Sequence, residues 1–299
     1  MTQDSALRTQ HFYNRGVKPL AITLGDPAGI GPEIVRKALD GLDVPVRLFG
    51  RDTPACHGEV SAENGRAALR AIDDALDAIA RGECSALVTA PIHKLAIAAA
   101  GSPFPGHTEL LAARAGLRRY AHDYAMYFDS PSIRAVLLSV HLPLREAIAS
   151  IDAEDIAALA QLTAREWPRL HGRAPRIGVA GLNPHAGEGG KFGDEEAIIA
   201  RGVAAARDAG VDVSGPHPAD TIFRAGYDVV LAMYHDQALI PIKTMAFHES
   251  VNVTLGLPYL RVSVDHGTAF DIAGKGIADA APMRYAIEFA ARHAEEYAR

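Results

Sequence analysis

Pro19-Leu-Ala-Ile-Thr-Leu24, followed at once by Gly25-Asp26-Pro27, is an apolar run that stops at a turn. Residues apolar on both faces of a strand belong to a sheet covered on both sides, which is the condition of parallel sheets. The next segment, Ile30 to Leu39, reads as a helix, with Pro32 tolerated in its first turn. Val44 to Phe49 reads as a second strand and Ala86 to Thr89 as a third. Between them, Leu69, Ile72, Leu76 and Ile79 recur at helical spacing, so Asn64 to Ala80 is expected to be an amphipathic helix.

The alternation continues outward. Helices are expected over Thr108 to Ala115, after an Asp152 cap with Ile156, Leu159 and Leu162 on the apolar face, after an Asp194 cap, and from Pro282 to the end. Strands are expected over Ala125 to Phe128, Ile133 to Val140, Arg176 to Leu182 and Val229 to Met233. Strands alternating with helices throughout define an α/β protein with a largely parallel sheet. Residues 1–17 are polar and read as a loose tail.

Composition narrows the function. The chain has 299 residues and a formal net charge of −6, which speaks against a nucleic-acid or membrane-surface partner. Cys56 and Cys84 form no CxxC pair, so neither a disulfide framework nor a cysteine zinc site is expected. No apolar run approaches the roughly 20 residues that cross a bilayer, and no signal core precedes the first strand. The expected location is the cytoplasm.

In open α/β sheets ligands sit beyond the carboxyl ends of the strands. Three expected strands end in a histidine there: His141 in His141-Leu-Pro-Leu, His185 in Asn183-Pro-His185-Ala-Gly-Glu-Gly-Gly190, and His235 in Tyr234-His235-Asp236-Gln237. Three imidazoles with an open position are a recurring catalytic arrangement for a divalent metal. One such histidine alone is more often just a hydrogen-bonded polar residue; the repetition gives the metal reading its weight. Lys243, Asn252 and Arg261 follow at intervals of nine. Singly they read as surface or turn residues; together they supply two cations and an amide suited to phosphate or carboxylate. His107 and Thr108 stand at an expected helix start, with Thr108 a plausible cap. Gly25 to Glu33 carries neither the dinucleotide-binding nor the P-loop spacing, and a tight strand-to-helix turn is the better reading of it. Lys94 is either a phosphate contact or a solvated helix start, and His266 either a fourth ligand or a packing residue.

The ordered motifs GDPAGIGPE (25–33), TAPIHK (89–94), GHTELLA (106–112), VHLPL (140–144), LNPHAGEGG (182–190), PADT (218–221), YHDQ (234–237) and VNVTLGLPYLRVSVDHGTAFDIAGKG (251–276) resemble the PdxA family of 4-hydroxythreonine-4-phosphate dehydrogenases in vitamin B6 synthesis. The resemblance runs from about Leu20 to the C-terminus. It implies a fold like isocitrate and isopropylmalate dehydrogenases, with two α/β/α domains and a cleft between them. The implied domains are 18–115 with 262–299, and 116–261. It also implies a homodimer with shared active sites. Metal ligands would be His141, His185 and His235. Substrate residues would be His107, Thr108, Lys243, Asn252 and Arg261, and Asp220 would lie near the metal. The implied cofactors are NAD or NADP and a divalent Zn, Mg or Co ion. The cofactor-binding residues are not assigned.

The implied reaction is oxidation of 4-phosphooxy-L-threonine to 2-amino-3-oxo-4-phosphooxybutanoate, which loses CO2 to give 3-amino-2-oxopropyl phosphate. Asp220 and Lys243 are the two candidates for general base. Three departures from the family pattern bear on substrate choice: a shorter Gly50–Asn64 stretch, Ala238 where glycine often follows YHDQ, and His248-Glu249 before Val251. The nearest alternative is a family dehydrogenase for phosphorylated threonate or erythronate. The retained His-Thr, Lys, Asn and Arg favour a phosphorylated substrate over an aromatic dihydrodiol. A phosphate acyltransferase of related fold would show acyl transfer and no NAD reduction. A non-catalytic metal-binding protein would leave the Lys243, Asn252 and Arg261 group unexplained.

Overall fold

The computed structural model describes residues 17–54 and 56–297. All of the expected tail except Val17 lies outside these residues, as do the last two positions of the expected C-terminal helix. In chain order the elements are β1 (Leu20–Thr23), α1 (Gly31–Leu39), β2 (Val46–Phe49), α2 (Ala62–Ala80), β3 (Ala86–Thr89), α3 (Lys94–Ala99) and α4 (His107–Arg114). There follow β4 (Ala125–Asp129), β5 (Ala135–Leu137), α5 (Leu144–Ala149), α6 (Ala153–Glu166), α7 (Pro168–His171), β6 (Ile177–Ala180) and α8 (Glu195–Asp208). The chain ends with β7 (Val213–His217), β8 (Val229–Ala232), α9 (His235–Met245), β9 (Val251–Leu255), β10 (Leu260–Ser263) and α10 (Ala281–Tyr297). This is the α/β class that the alternation predicts. The chain forms two compact units, Met1–Leu110 with Tyr259–Arg299, and Leu111–Pro258.

In the first unit four parallel strands run in the order β2-β1-β3-β10. Every residue of β1, β3 and β10 is buried. Helix α2 packs over β1, β2 and β3 beside α3, while α10 packs on β3 and β10 beside α1. The two helix pairs account for cover on both faces of so apolar a strand set. Helix α2 starts earlier than its apolar spacing suggests, because the Ser61 hydroxyl accepts the Asn64 N–H at 3.1 Å and caps it. Between β1 and α1 the chain turns tightly. A Cβ on Gly31 would stand 2.2 Å from the Leu24 carbonyl oxygen, so only glycine fits there.

The second unit orders its strands β9-β4-β5-β8-β6-β7. Strands β5, β8, β6 and β7 are parallel. Strand β4 is antiparallel to both neighbours. Only residues 130–134 separate β4 from β5, too few for the crossover that parallel neighbours need. Helices α6 and α8 pack together, and α9 packs on β5 and β8. Asp152 caps α6 as expected, accepting the Glu154 N–H at 2.7 Å. Asp194 precedes α8 but its side chain makes no capping bond. Thr108 is no cap either: α4 begins at His107, so Thr108 sits inside the first turn and is buried. The described residues contain no helix long and apolar enough to cross a membrane.

Candidate active site

Three of the expected substrate residues lie in the first unit. Arg261 is in β10, opposite Leu87 of β3, and is 2 % exposed. Its Nη2 donates to Thr89 Oγ1 at 2.8 Å, at the end of β3. Burial lowers the guanidinium to about 10, against the opposing influence of Tyr259 and Glu109, so Arg261 is still a cation at neutral pH. His107 opens α4. Burial first, and then the charge of Arg261, hold its imidazole well below the usual histidine range, so the ring is neutral. Its Nε2 is buried without a partner. A buried cation beside a neutral ring with an unused nitrogen is an environment suited to an anion that brings its own acceptors. Thr89 was not among the residues the sequence singled out; its signal is a hydroxyl at the carboxyl end of an apolar strand.

The loop at 25–31 turns out to be structural. Asp26 N–H donates to Pro91 O, Ala28 N–H to Asp26 Oδ1, Gly29 N–H to Asp26 O and Ile30 N–H to Thr268 O. Those four donors are therefore engaged within the protein. Asp26 is fully buried with Oδ2 unpartnered, and burial raises its pKa despite the bond from Ala28 and the nearby His93. The His93 ring stacks on Phe270 with centroids 4.4 Å apart. His266 Nδ1 lies 3.1 Å from the Gly267 carbonyl oxygen.

The second unit carries the three histidines. Strands β5 and β8 are tied at their ends: Leu138 N–H donates to Ala232 O, and Ser139 Oγ to Met233 O at 2.9 Å. His141 and His235 each follow two residues later, and their ring centroids are 5.9 Å apart. Two imidazoles on one ion at nitrogen–metal distances of roughly 2.0–2.1 Å place their centroids about 5–6 Å apart, so this pair fits a shared cation. His235 Nδ1 lies 2.6 Å from Asp236 Oδ1, a bond that orients the ring and leaves Nε2 for a ligand.

His185 stands on an exposed loop whose backbone is left-handed at four successive residues, His185, Ala186, Gly187 and Glu188. Glu196, buried on α8, holds the base of that loop: Oε1 accepts the N–H groups of Leu182 and Asn183, and Oε2 the Asn183 amide. Among the described residues no three His, Cys, Asp or Glu side chains converge as ligands of one ion. The structure brings His141 and His235 together and leaves His185 apart from that pair.

Asp220 is exposed on a turn just after β7, in which Pro218 O accepts the N–H groups of Thr221 and Ile222. Lys243 is exposed on α9, two turns beyond His235. Asn252 lies in β9 opposite Phe128, is 9 % exposed, and leaves its Oδ1 buried without a partner. Asn252 and Arg261 are thus strand residues, not surface or turn residues.

A family model described as "Pyridoxal phosphate biosynthetic protein PdxA" matches residues 22–290. A 4-hydroxythreonine-4-phosphate dehydrogenase of Beijerinckia indica is 44 % identical, with 92 % of this chain and 94 % of that protein aligned. A D-threonate 4-phosphate dehydrogenase of Salmonella typhimurium is 38 % identical over 91 % of this chain and 98 % of its own length. The crystal structure of a 4-hydroxythreonine-4-phosphate dehydrogenase from Klebsiella pneumoniae superposes with a TM-score of 0.86 at 38 % identity, covering 94 % of this chain and 99 % of that one.

Proposed function

The chain belongs to the PdxA family, and on that premise we propose that it is a metal-dependent, NAD(P)-linked dehydrogenase of 4-phosphooxy-L-threonine. The product, 2-amino-3-oxo-4-phosphooxybutanoate, is a β-keto acid that loses CO2 to give 3-amino-2-oxopropyl phosphate. The observation that carries the reading is the pairing of two features: a buried anion environment at Arg261 and His107, and the imidazole pair of His141 and His235 at metal-like spacing.

Arg261, His107, Thr108, Lys243 and Asn252 are assigned to the phosphorylated substrate. The Arg261 guanidinium presents planar donors for phosphate oxygens while Thr89 fixes its fork. The neutral His107 contributes a hydrogen bond without competing charge. The unused Asn252 Oδ1 accepts from a substrate donor. Asp220 and Lys243 are the candidates for taking the proton of the C3 hydroxyl. A divalent Zn, Mg or Co ion on His141, His185 and His235 would supply Lewis-acid polarisation of that hydroxyl and charge stabilisation during CO2 loss. NAD or NADP would accept the hydride.

The third imidazole is proposed to meet the other two across a homodimer. Within one chain His185 does not join the pair. Leu142, Leu144, Phe192, Ile240, Met245 and Phe247 are all exposed and lie in the chain segments that carry the three histidines. Six large apolar side chains so placed fit burial against a second copy better than contact with water.

NADH absorbance tests the activity, using 4-phosphooxy-L-threonine, phosphorylated threonate and erythronate, and their unphosphorylated forms, with and without chelator. Turnover of the first, lost on chelation, is the expected result. Phosphorylated threonate is the second reading, favoured by the 38 % identity to the Salmonella enzyme. Equal turnover of unphosphorylated substrate would reject the phosphate assignment.

A further inference from the structure

Gln237 hydrogen-bonds to both of the segments that lead to His185 and His235. It sits in the first turn of α9, two residues after His235, and is half-buried. Its Oε1 accepts the Met233 N–H at 2.7 Å, and its Nε2 donates to the Gly181 carbonyl at 2.8 Å. The orientation of the amide is unambiguous, because one partner can only donate and the other only accept.

Those two partners are the strand ends from which the histidine segments depart. Met233 immediately follows β8 and leads to His235; its carbonyl also takes the Ser139 hydroxyl, two residues before His141. Gly181 immediately follows β6 and leads to the His185 loop; its own N–H donates to His217 O at 2.7 Å, at the end of β7. His217 is fixed in turn, its Nε2 lying 2.7 Å from Tyr227 OH and 3.0 Å from Ser214 Oγ. One amide therefore joins the base of the His185 segment to the base of the His235 segment, and both to neighbours that lead to His141 and Asp220.

We propose that Gln237 is a positioning residue for the metal centre: it makes the ends of β6 and β8 one rigid platform and so sets where His185 and His235 are presented. This rests on the metal reading above. The bridge requires a donor and an acceptor on one planar group at this side-chain length. Glutamate keeps the acceptor but loses the donor to Gly181, and asparagine is one methylene short. Outer groups that orient metal ligands typically influence affinity by 10–100-fold when removed.

The test is titration of Co(II) into metal-free full-length protein, followed by the visible absorption of the bound ion and by calorimetry, for the wild type, Gln237→Ala and Gln237→Glu. The expected result is a Kd weakened about 10–100-fold in both variants, with an altered Co(II) spectrum that reports changed ligand geometry. Thermal unfolding of the metal-free proteins is measured alongside. A merely structural role would lower the unfolding temperature and leave Co(II) affinity within twofold of wild type, and that result overturns the inference. Gln237→Glu, which is isosteric, carries the test if Gln237→Ala does not fold. Wild-type protein that takes up no Co(II) would reject the metal reading and this inference with it, whereas wild-type binding with unchanged variants rejects the inference alone.

Discussion

Arg261 and His107 lie under cover, one on a wholly buried strand and the other at a helix start, with burial shifting the titration of both. His141 and His185 stand on exposed segments, and His235 opens a helix whose outer face is also exposed. In the first arrangement the cation is already fixed, by Thr89, with no ligand bound. The second is held rigidly at its base, by Ser139, Gln237 and Glu196, but its tips lack a common centre within the described residues. On the proposed function, the buried cation is ready for substrate, whereas the exposed histidines need an ion and further ligands, which a second chain would bring.

The largest effect expected from that difference is on His235. His235→Ala should lower turnover by about 10³-fold or more, several kcal/mol of transition-state stabilisation, while circular dichroism stays native because the ring is not core. Mixing His235→Ala with His185→Ala under subunit exchange then separates a shared site from an intrachain one. Shared ligands give each mixed dimer one intact site, so about a quarter of full activity should return if pairing is random. Recovery of none, despite demonstrated exchange, would place the whole site in one chain.

The exposed histidine segments contrast with a buried ion cluster in the same unit. Asp129, at the end of β4, is 3 % exposed, accepts from Tyr127 OH at 2.5 Å and pairs with Arg134 at 3.2 Å and His171 at 3.3 Å. Burial raises its pKa, but the bond to His171, the charge of Arg134 and the bond from Tyr127 together outweigh it, and the net shift is downward. A carboxyl whose folded pKa is depressed contributes stability that is complete above the unfolded carboxyl range and is lost as pH falls through the folded value. Asp129→Asn should therefore cost on the order of 3 kcal/mol at pH 7, with the deficit shrinking below about pH 4. Urea unfolding at pH 7 and pH 3 measures both. A pH-independent deficit would mean that packing, not the ion cluster, is what the substitution breaks.

Much of this framework is legible in the sequence, and the failures have physical causes. Leu20 to Thr23 and Ala86 to Thr89 are short, apolar and ended by turn residues, so period and punctuation agree. The segment 251–263 is harder. Asn252 and Arg261 are polar residues inside buried strands, and a polar residue in an apolar run reads as a break in it. On the proposed function they are inside to meet the substrate, against what burial alone would choose. The His185 loop could not be read at all from spacing, since left-handed backbone at His185, Ala186 and Glu188 breaks the usual preference of non-glycine residues. Gln237 was visible only as part of a motif, because its two partners come from 4 and 56 residues away.

The two cations proposed to bind substrate differ in burial: Arg261 is buried and Lys243 exposed. Arg261→Met and Lys243→Met should each lower kcat/KM by about 10–100-fold, the worth of one hydrogen bond to a charged group. Their effects on stability should differ. Burial depresses the Arg261 pKa to about 10, which means that folding disfavours its charge; an apolar side chain of similar length removes that cost. Arg261→Met is therefore expected to unfold no earlier than wild type, and on the order of 1 kcal/mol later. Lys243 is exposed on α9, so Lys243→Met should change stability by less than about 0.5 kcal/mol. A large loss of stability in Arg261→Met would recast the arginine as a structural ion and remove the contrast between a site held for ligand and a surface awaiting one.

The smallest expected effect lies in the His185 loop. Ala186 has φ +50°, where an alanine side chain costs roughly 1–2 kcal/mol that glycine avoids. Glycine also returns about 0.5–1 kcal/mol of that gain through the extra freedom of its unfolded chain. Ala186→Gly should therefore raise stability by only about 0.5 kcal/mol, a shift of a degree or so in thermal unfolding for a chain of this size. The useful part of the measurement is its companion. If the strained backbone serves to hold His185 in place before an ion or a partner arrives, relaxing it frees the loop, and Co(II) affinity should fall even as stability rises. A rise in both would mean that the left-handed backbone is merely tolerated, and that the rigidity of the histidine surface resides wholly in the bonds beneath it, from Glu196 and Gln237.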